Sequence, residues 1–408
     1  MAGLYIHIPF CKSRCIYCGF YSTTRLQMRQ RYVDAVCREM ELTAQRWLSS
    51  PCCTPISTVY IGGGTPSQLT FEQLQQFFIY INKVYGTTVF PPLNDNLSTK
   101  GTSTVGDSAA KEPSESRKPA DVEVTIEVNP DDVTEAYASM LARLPVNRVS
   151  MGVQTFNDQR LQFLRRRHTA AQITTAVDHL RQAGINNISI DLMYGFPGET
   201  IGDWHRDIDR ALALGVEHLS AYSLQYEEGT QLTNLLNSHS IMPIGEEVER
   251  RMYYDLIDHL TAAGYEHYEI SNFALPHRRS RHNSNYWNHT PYIGLGVAAH
   301  SFDGNKRRWN VSDIERYIEG IENGRPFIDE ETISGITRYN DLVMTSLRTI
   351  DGLNLSMLPS EQQSYCLAQS KRYIDSGLLV YDGRSHRLRL TRNGLFVSDM
   401  VIADLFMV

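Results

Sequence analysis

Six short apolar runs alternate with amphipathic stretches through the first half of the chain. The runs are LYIHI, STVYIGG, VEVTIEV, NRVSMGV, NISIDLMYGF and HLSAYSL. Between them, MRQRYVDAVCREMELTAQRW, FEQLQQFFIYINKVY and ITTAVDHLRQAG carry helical spacing, the last stopped by Gly184. Strands that alternate with helices imply a parallel sheet with right-handed crossovers. The near-continuous apolar character of the strands predicts burial on both faces. The α/β arrangement closes as a TIM-like partial (β/α)6 barrel over residues 1–240, and such barrels collect ligands at the C-terminal ends of their strands.

At 408 residues the chain is long for one core. Residues 241–310 read as a segment that completes the barrel. From about Val311 helices are followed by a hairpin around Asp382-Gly383, which predicts a small winged-helix-like α+β domain over 311–408. Residues 94–120, NDNLSTKGTSTVGDSAAKEPSESRKPA, are polar and aperiodic and read as a flexible surface insertion with no assigned function. Lys plus Arg is 39 and Asp plus Glu is 46, so the net charge is 39 − 46 = −7. That balance argues against nucleic acid as the partner, because phosphate contacts need a basic face. The C-terminal domain is then expected to pack or to dock a partner. No apolar run reaches membrane-spanning length, and MAGLYIHIPF lacks the features of a signal peptide. A cytoplasmic location is expected, in which the seven cysteines are thiols or metal ligands. Cys37, Cys52, Cys53 and Cys366 have no motif around them and read as incidental or buried thiols.

The other three cysteines form one loop, CKSRCIYC, with Cys11, Cys15 and Cys18 in a C-x₃-C-x₂-C spacing. A four-iron cluster normally takes four thiolates, so three leave one iron open to a small-molecule ligand. A zinc half-site is the alternative, but it would want a fourth Cys or His in a paired pattern. The nearby His7 falls on a strand.

Each predicted strand ends in a distinctive cluster. Gly62-Gly63-Gly64-Thr65-Pro66 allows close approach of a backbone to a ligand. Glu127, in EVNP, is a carboxylate on an apolar strand and wants a cationic partner. Gln154 ends the next strand, and Arg166 and His168 follow in RRRH. Asp191 precedes the Gly195-Phe196-Pro197-Gly198 turn and suits a ribose hydroxyl pair. Singly each could be a satisfied structural group. Together they bring acids, an amide and an arginine to one end of a barrel.

The motifs LYIHIPFC, IGGGTP, TIEVNP, GVQTF, RRRH and DLMYGFPGET, from Leu4 to Thr200, resemble the coproporphyrinogen-oxidase-like branch of the radical S-adenosylmethionine (SAM) superfamily. That branch holds oxygen-independent coproporphyrinogen III oxidases and heme chaperones. The resemblance implies that Cys11, Cys15 and Cys18 ligate a [4Fe–4S] cluster. It implies that Tyr5, Gly63, Gly64, Thr65, Glu127, Gln154, Arg166 and Asp191 contact SAM, with Arg166 pairing its carboxylate. The oxidases carry a further cysteine where this chain has Phe20, and an extension ahead of the first strand where this chain has almost nothing before Leu4. Both departures match the heme chaperones.

A further match, HNSNYW, begins at His282 and resembles an H-N-x-x-Y segment of heme-handling proteins. It implies heme binding by His282, Asn283 and Tyr286, with Trp287 able to pack on the macrocycle. His282 could instead help close the barrel; His289 and His300 are weaker ligand candidates, and Tyr226, Tyr268 and Trp309 read as core. The implied function is a heme chaperone that binds heme, the cluster and SAM and passes heme to acceptor apoproteins of unknown identity. Its enzyme status is open. It is not expected to span a membrane, though membrane-bound heme proteins could receive the heme, and its state is left between monomer and dimer. The alternatives are an oxidase of coproporphyrinogen, a radical SAM enzyme acting on heme, and an iron–sulfur sensor without SAM.

Overall fold

The computed structural model describes residues 2–48, 54–85 and 122–408, so the 94–120 segment, Cys52 and Cys53 lie outside the described residues. Strands β1 (Ala2–Ile8), β2 (Ile56–Gly63), β3 (Glu123–Val128), β4 (Arg148–Gln154), β5 (Ile188–Tyr194) and β6 (His218–Ser223) pair in chain order. Every neighbouring pair is parallel, giving the partial (β/α)6 barrel. Around them run α1 (Arg29–Leu48), α2 (Phe71–Tyr85), α3 (Glu135–Leu141), α4 (Asp158–Phe163), α5 (Ala170–Gln182) and α6 (Ile201–Ala213). Thr134, Asn157 and Thr200 cap the starts of α3, α4 and α6 with their side chains. Thr200, for example, accepts from Asp203 N while Asp203 reaches back to the Thr200 N–H, a reciprocal capping box.

The strands correct one expectation. They are buried on both faces, but only one face is apolar. Leu4, Ile6, Val59, Ile61, Val149, Met151, Ile190 and Leu192 are fully buried in the core shared with the helices. The alternate positions are polar: Tyr5, Thr58, Tyr60, Thr125, Glu127, Arg148, Ser189, Asp191 and His218. These face one another across the lumen, where Tyr5 and Tyr60 approach ring to ring at 6.1 Å and the Tyr60 hydroxyl donates to Glu127 Oε1 at 2.7 Å. Single β-branched and aromatic letters such as Thr58 and Tyr60 fit either face of a strand, so the alternation is hard to see in the sequence.

Helices α7 (Gln231–Asn237) and α8 (Glu246–Ala262) precede an antiparallel pair, β7 (Glu266–Glu269) and β8 (Asn272–Ala274), that extends the sheet beyond β6. The short α9 (Arg281–Trp287) follows. On the other edge β9 (Tyr292–Leu295) runs parallel to β1, and β10 (His300–Phe302), β11 (Lys306–Asn310) and β12 (Ile328–Thr332) continue antiparallel. Between β11 and β12, α10 (Ile314–Glu322) packs back on α1.

The C-terminal part has its own core of Tyr339, Val343, Leu353, Cys366, Leu388 and Val401. It comprises α11 (Gly335–Ser346), β13 (Leu353–Asn354), α12 (Ser360–Asp375), the hairpin β14 (Leu379–Asp382) and β15 (Arg387–Leu390), then α13 (Arg392–Leu395) and α14 (Ser398–Ala403). Arg392 forks onto Asp258 of α8 at 2.7 and 2.8 Å, and Ile350 N donates to Tyr268 O at 3.1 Å. Among the described residues no helix is long and apolar enough to cross a membrane.

Candidate functional site

The cysteine loop leaves β1 at its C-terminal end and is pinned from below. Ile16 is buried against Leu164, Phe196 and Leu224, and Cys11 N donates to Thr23 O at 2.9 Å. Cys11, Cys15 and Cys18 are half-buried free thiols. Burial pushes the Cys11 and Cys18 thiols up, so metal ligation there must release protons. Two side chains already point at the sulfurs: Thr65 Oγ1 donates to Cys11 Sγ at 3.5 Å and Arg166 Nη1 to Cys15 Sγ at 3.7 Å. Among the described residues no three Cys, His, Asp or Glu side chains close around a single metal ion. Three thiols spread over one loop, with donors to their sulfurs, fit a multi-iron cluster better than one zinc ion.

The GGGTP segment forms the neighbouring wall. Gly64 sits so close to β1 that a Cβ would fall 2.8 Å from the Pro9 carbonyl carbon. Gly63 has φ +113°, open to glycine but strained for other residues, and a Cβ there would fall 2.4 Å from His7 Nδ1. Its N–H donates to Glu127 Oε2 at 2.8 Å. Glu127 therefore has two donors, Tyr60 and Gly63, yet burial still pushes it up to about 7. Asp191, beside Ser220, is pushed up to about 6 for the same reason.

Gln154 lies at a bulge in β4 and has φ +69°. That conformation is sparsely populated by non-glycine residues and persists only where the surrounding structure holds it. Arg166 is held by Asn129 Oδ1 and Gly152 O, both 2.6 Å from Nη2, while its buried Nε has no partner. Tyr5 contributes a hydroxyl 3.0 Å from His7 Nδ1. The strand-end set thus offers an unmet guanidinium donor, two acids near neutrality and a glycine-lined approach. These residues fit an amino acid–nucleoside ligand such as SAM.

The two acids set a pH dependence. A carboxylate raised above its unfolded value stabilises the fold below that value and loses this contribution as pH rises through its folded value. Without ligand, Glu127 therefore lowers stability between about pH 4.5 and 7. A cationic ligand group favours the ionised form. SAM affinity, followed by calorimetry, is expected to rise several-fold from pH 6 to 8, and Glu127→Gln should flatten that rise. A profile unchanged by Glu127→Gln would remove Glu127 from the cation-binding role.

The H-N-x-x-Y residues lie elsewhere. Helix α9 crosses the N-terminal ends of β1 and β2, at the far end of the lumen from the cysteine loop. Glu123 accepts from the N–H groups of Arg281 and His282 at 3.0 and 2.9 Å, seating the helix on the barrel floor. His282 is 1% exposed; its Nδ1 lies 2.8 Å from Thr58 Oγ1, its Nε2 3.0 Å from the Tyr286 hydroxyl, and its ring stacks on Tyr60 at 5.1 Å. In this conformation both ring nitrogens are engaged, by hydroxyls of Thr58 and Tyr286. Asn283 is half-buried, with its N–H on the Ser280 hydroxyl. His289 is tied to Thr345 at 2.8 Å, and His300 stacks on Trp309. His168 is buried behind β4, its Nε2 3.1 Å from Val153 O, outside the site.

Three contributors escape a reading of the sequence. Tyr60 buttresses Glu127, Asn129 holds Arg166, and Asp132 gathers Lys12, Ser67, Gln68 and Arg167. Asp132 thereby ties the cysteine loop, the glycine segment and RRRH together. Its signal is only its place two residues after EVNP.

This geometry defines a class: a partial barrel with three cysteines on its first loop and a set of polar side chains across its strand ends. Residues 5–211 match the family model described as the radical SAM superfamily. The chain is 33% identical to the heme chaperone HemW of Bacillus subtilis over 87% of this chain and 85% of that protein. It is 31% identical to HemW of Mycobacterium tuberculosis strain H37Rv, covering 99% and 94%. It is 27% identical to the mitochondrial radical S-adenosyl methionine domain-containing protein 1 of Danio rerio, covering 100% and 87%. The structure of the Escherichia coli coproporphyrinogen III oxidase HemN superposes with a TM-score of 0.77 at 21% identity, covering 100% of this chain and 90% of that one, a likeness of fold. The chain belongs to the radical SAM superfamily, and within it to the HemW heme chaperone family.

Proposed function

We propose that this protein is a heme chaperone that binds heme, carries a [4Fe–4S] cluster on Cys11, Cys15 and Cys18, binds SAM on the strand-end set, and passes heme to acceptor apoproteins. The observation that carries the reading is end-to-end similarity to proteins named heme chaperones, over 85–94% of their length in the two cited above. Phe20, where the resembling oxidases carry a cysteine, adds to it; this ring is 71% exposed beside the cysteine loop. When bound, the cluster supplies an open iron that can chelate the amino acid end of SAM. The chain's own residues orient that ligand: Arg166 faces its carboxylate, Glu127 its ammonium group and Asp191 the ribose hydroxyls. Thr65 and Arg166 donate to the Cys11 and Cys15 sulfurs, which would stabilise the charged thiolates of a bound cluster.

The test is a hemin titration of anaerobically reconstituted protein, followed by SAM and a strong reductant. A saturable Soret band that survives both additions is the expected result. A band that bleaches only with SAM present would favour the second reading, a SAM-dependent enzyme acting on a porphyrin, which the complete strand-end set keeps open. Absence of a saturable band would overturn the chaperone reading.

For heme on His282, a ring nitrogen has to exchange the hydroxyl of Thr58 or Tyr286 for the iron, and we expect the short α9 to loosen from Glu123 as it does so. Hemin should then speed hydrogen exchange of the amides of Arg281 and His282, and His282→Ala should remove the Soret shift. Unchanged exchange, with an unchanged band in His282→Ala, would move the ligand elsewhere. The cysteine usage supports a reducing compartment, and we keep the cytoplasm as the proposed location. Cell fractionation that finds the protein within mitochondria, as the name of the Danio rerio relative has it, would replace that assignment.

A further inference from the structure

Arg148 is one of the largest fully buried side chains, 1% exposed. It stands on the lumen face of β4, and its nearest strand neighbour in register is Thr125 of β3. Its Nε has no hydrogen-bond partner, nor has Thr125 Oγ1, which is 0% exposed. Three carboxylates share the lumen, but none forms an ion pair with Arg148 among the described residues. Glu123 is occupied by the α9 N–H groups, Glu127 by Tyr60 and Gly63, and Asp191 sits beside Ser220. The histidines nearby are no substitute. His282 and His218 are held neutral by burial, with Arg148 pushing their pKa values further down. Arg148 lies near enough to Glu127 and Asp191 to draw both pKa values down, but neither meets it in an ion pair, so its buried Nε keeps an unmet donor of the kind that matches a carboxylate. An adjacent free hydroxyl is a third donor to the same oxygens.

We propose that Arg148 and Thr125 form a carboxylate-binding site inside the lumen, between the strand-end pocket and the α9 floor. The proposal rests on the function given above only for the molecule that brings the carboxylate. Two sources share that chemistry: the amino acid end of SAM, and a propionate arm of the porphyrin. Arg166 already faces the first at the mouth of the barrel, while Arg148 lies deeper, on the His282 side.

The experiment compares acid and neutral forms of each ligand. Dissociation constants are measured for SAM and decarboxylated SAM, and for hemin and hemin dimethyl ester, on reconstituted wild type, Arg148→Gln, Arg148→Lys and Thr125→Val. The expected result is that one ligand pair loses roughly thirtyfold or more of its acid-over-neutral preference in Arg148→Gln. Thr125→Val should lose less, and Arg148→Lys should recover part. The pair affected identifies the source. A purely structural arginine would weaken all four ligands alike or none, so preferences unchanged in both pairs overturn the site while the heme and SAM reading stands. Should Arg148→Gln fail to fold by circular dichroism, Thr125→Val is decided by the same criterion. Wild type that binds neither hemin nor SAM would overturn the functional reading, and the site with it.

Discussion

Single replacement of Cys11, Cys15 or Cys18 by Ser is expected to abolish the visible absorbance of the anaerobically reconstituted protein, down to the level of the unreconstituted chain. Three thiolates are the minimum that leaves a four-iron cluster with one open iron. A hydroxyl is a poor substitute, and the loop offers no fourth cysteine, Phe20 standing where one would be. SAM affinity should fall with the cluster in each variant, because chelation by iron disappears. Cys37→Ser is the control. Cys37 is buried in α1, with its thiol pushed up to about 12, and its loss should leave the absorbance unchanged. Absorbance that survives all three single changes would remove the cluster from this loop, and the zinc alternative would return.

The second large effect is expected at Gly63. A Cβ there would fall 2.4 Å from His7 Nδ1, and the backbone sits at φ +113°. His7 cannot step aside freely: it is 5% exposed and held by the Tyr5 hydroxyl and Tyr21 O, each at 3.0 Å. Overpacking costs about 1–3 kcal/mol and a strained backbone about 1–3 more, so Gly63→Ala should lose roughly 4 kcal/mol in urea unfolding. Gly184→Ala separates the two causes. Gly184 has φ +87° but open space around its missing Cβ, so it should lose only the backbone part, about 1 kcal/mol. Equal losses at the two positions would mean that the contact with His7 is not what holds Gly63 to glycine. The Gly63 variant should also lose SAM affinity beyond its loss of stability, since the Gly63 N–H leaves Glu127 with one donor fewer.

Much of the fold is legible in the chain because strands and helices announce themselves locally. All six parallel strands fall on the apolar runs, and Gly184 ends its helix where a left-handed residue is needed. The strand-end residues are legible for a related reason. Glu127, Gln154 and Asp191 are polar letters placed at or near the ends of apolar segments, and a barrel brings strand ends together. Tyr60 and Arg148 are not legible as a site, because each is one residue in a strand whose face is undetermined until its neighbours are known. Asp132 looks like an ordinary helix-start acid until Lys12, Ser67, Gln68 and Arg167 converge on it.

His282 shows the remaining gap. Its motif marks it as important, but a motif carries no depth. Whether a histidine offers a nitrogen to a ligand depends on what its two nitrogens already hold, and those partners, Thr58 and Tyr286, lie 224 and 4 residues away in sequence. By itself, then, the sequence determined the strand–helix alternation, the three-thiol loop and the set of strand-end groups, because spacing and residue chemistry are local properties. Only the tertiary structure decided that the barrel lumen is polar, that α9 closes its floor with His282 facing inward, and that Arg148 is buried with its Nε unpartnered. Those are properties of which side chains share a volume, and that volume exists only once the sheet has curled.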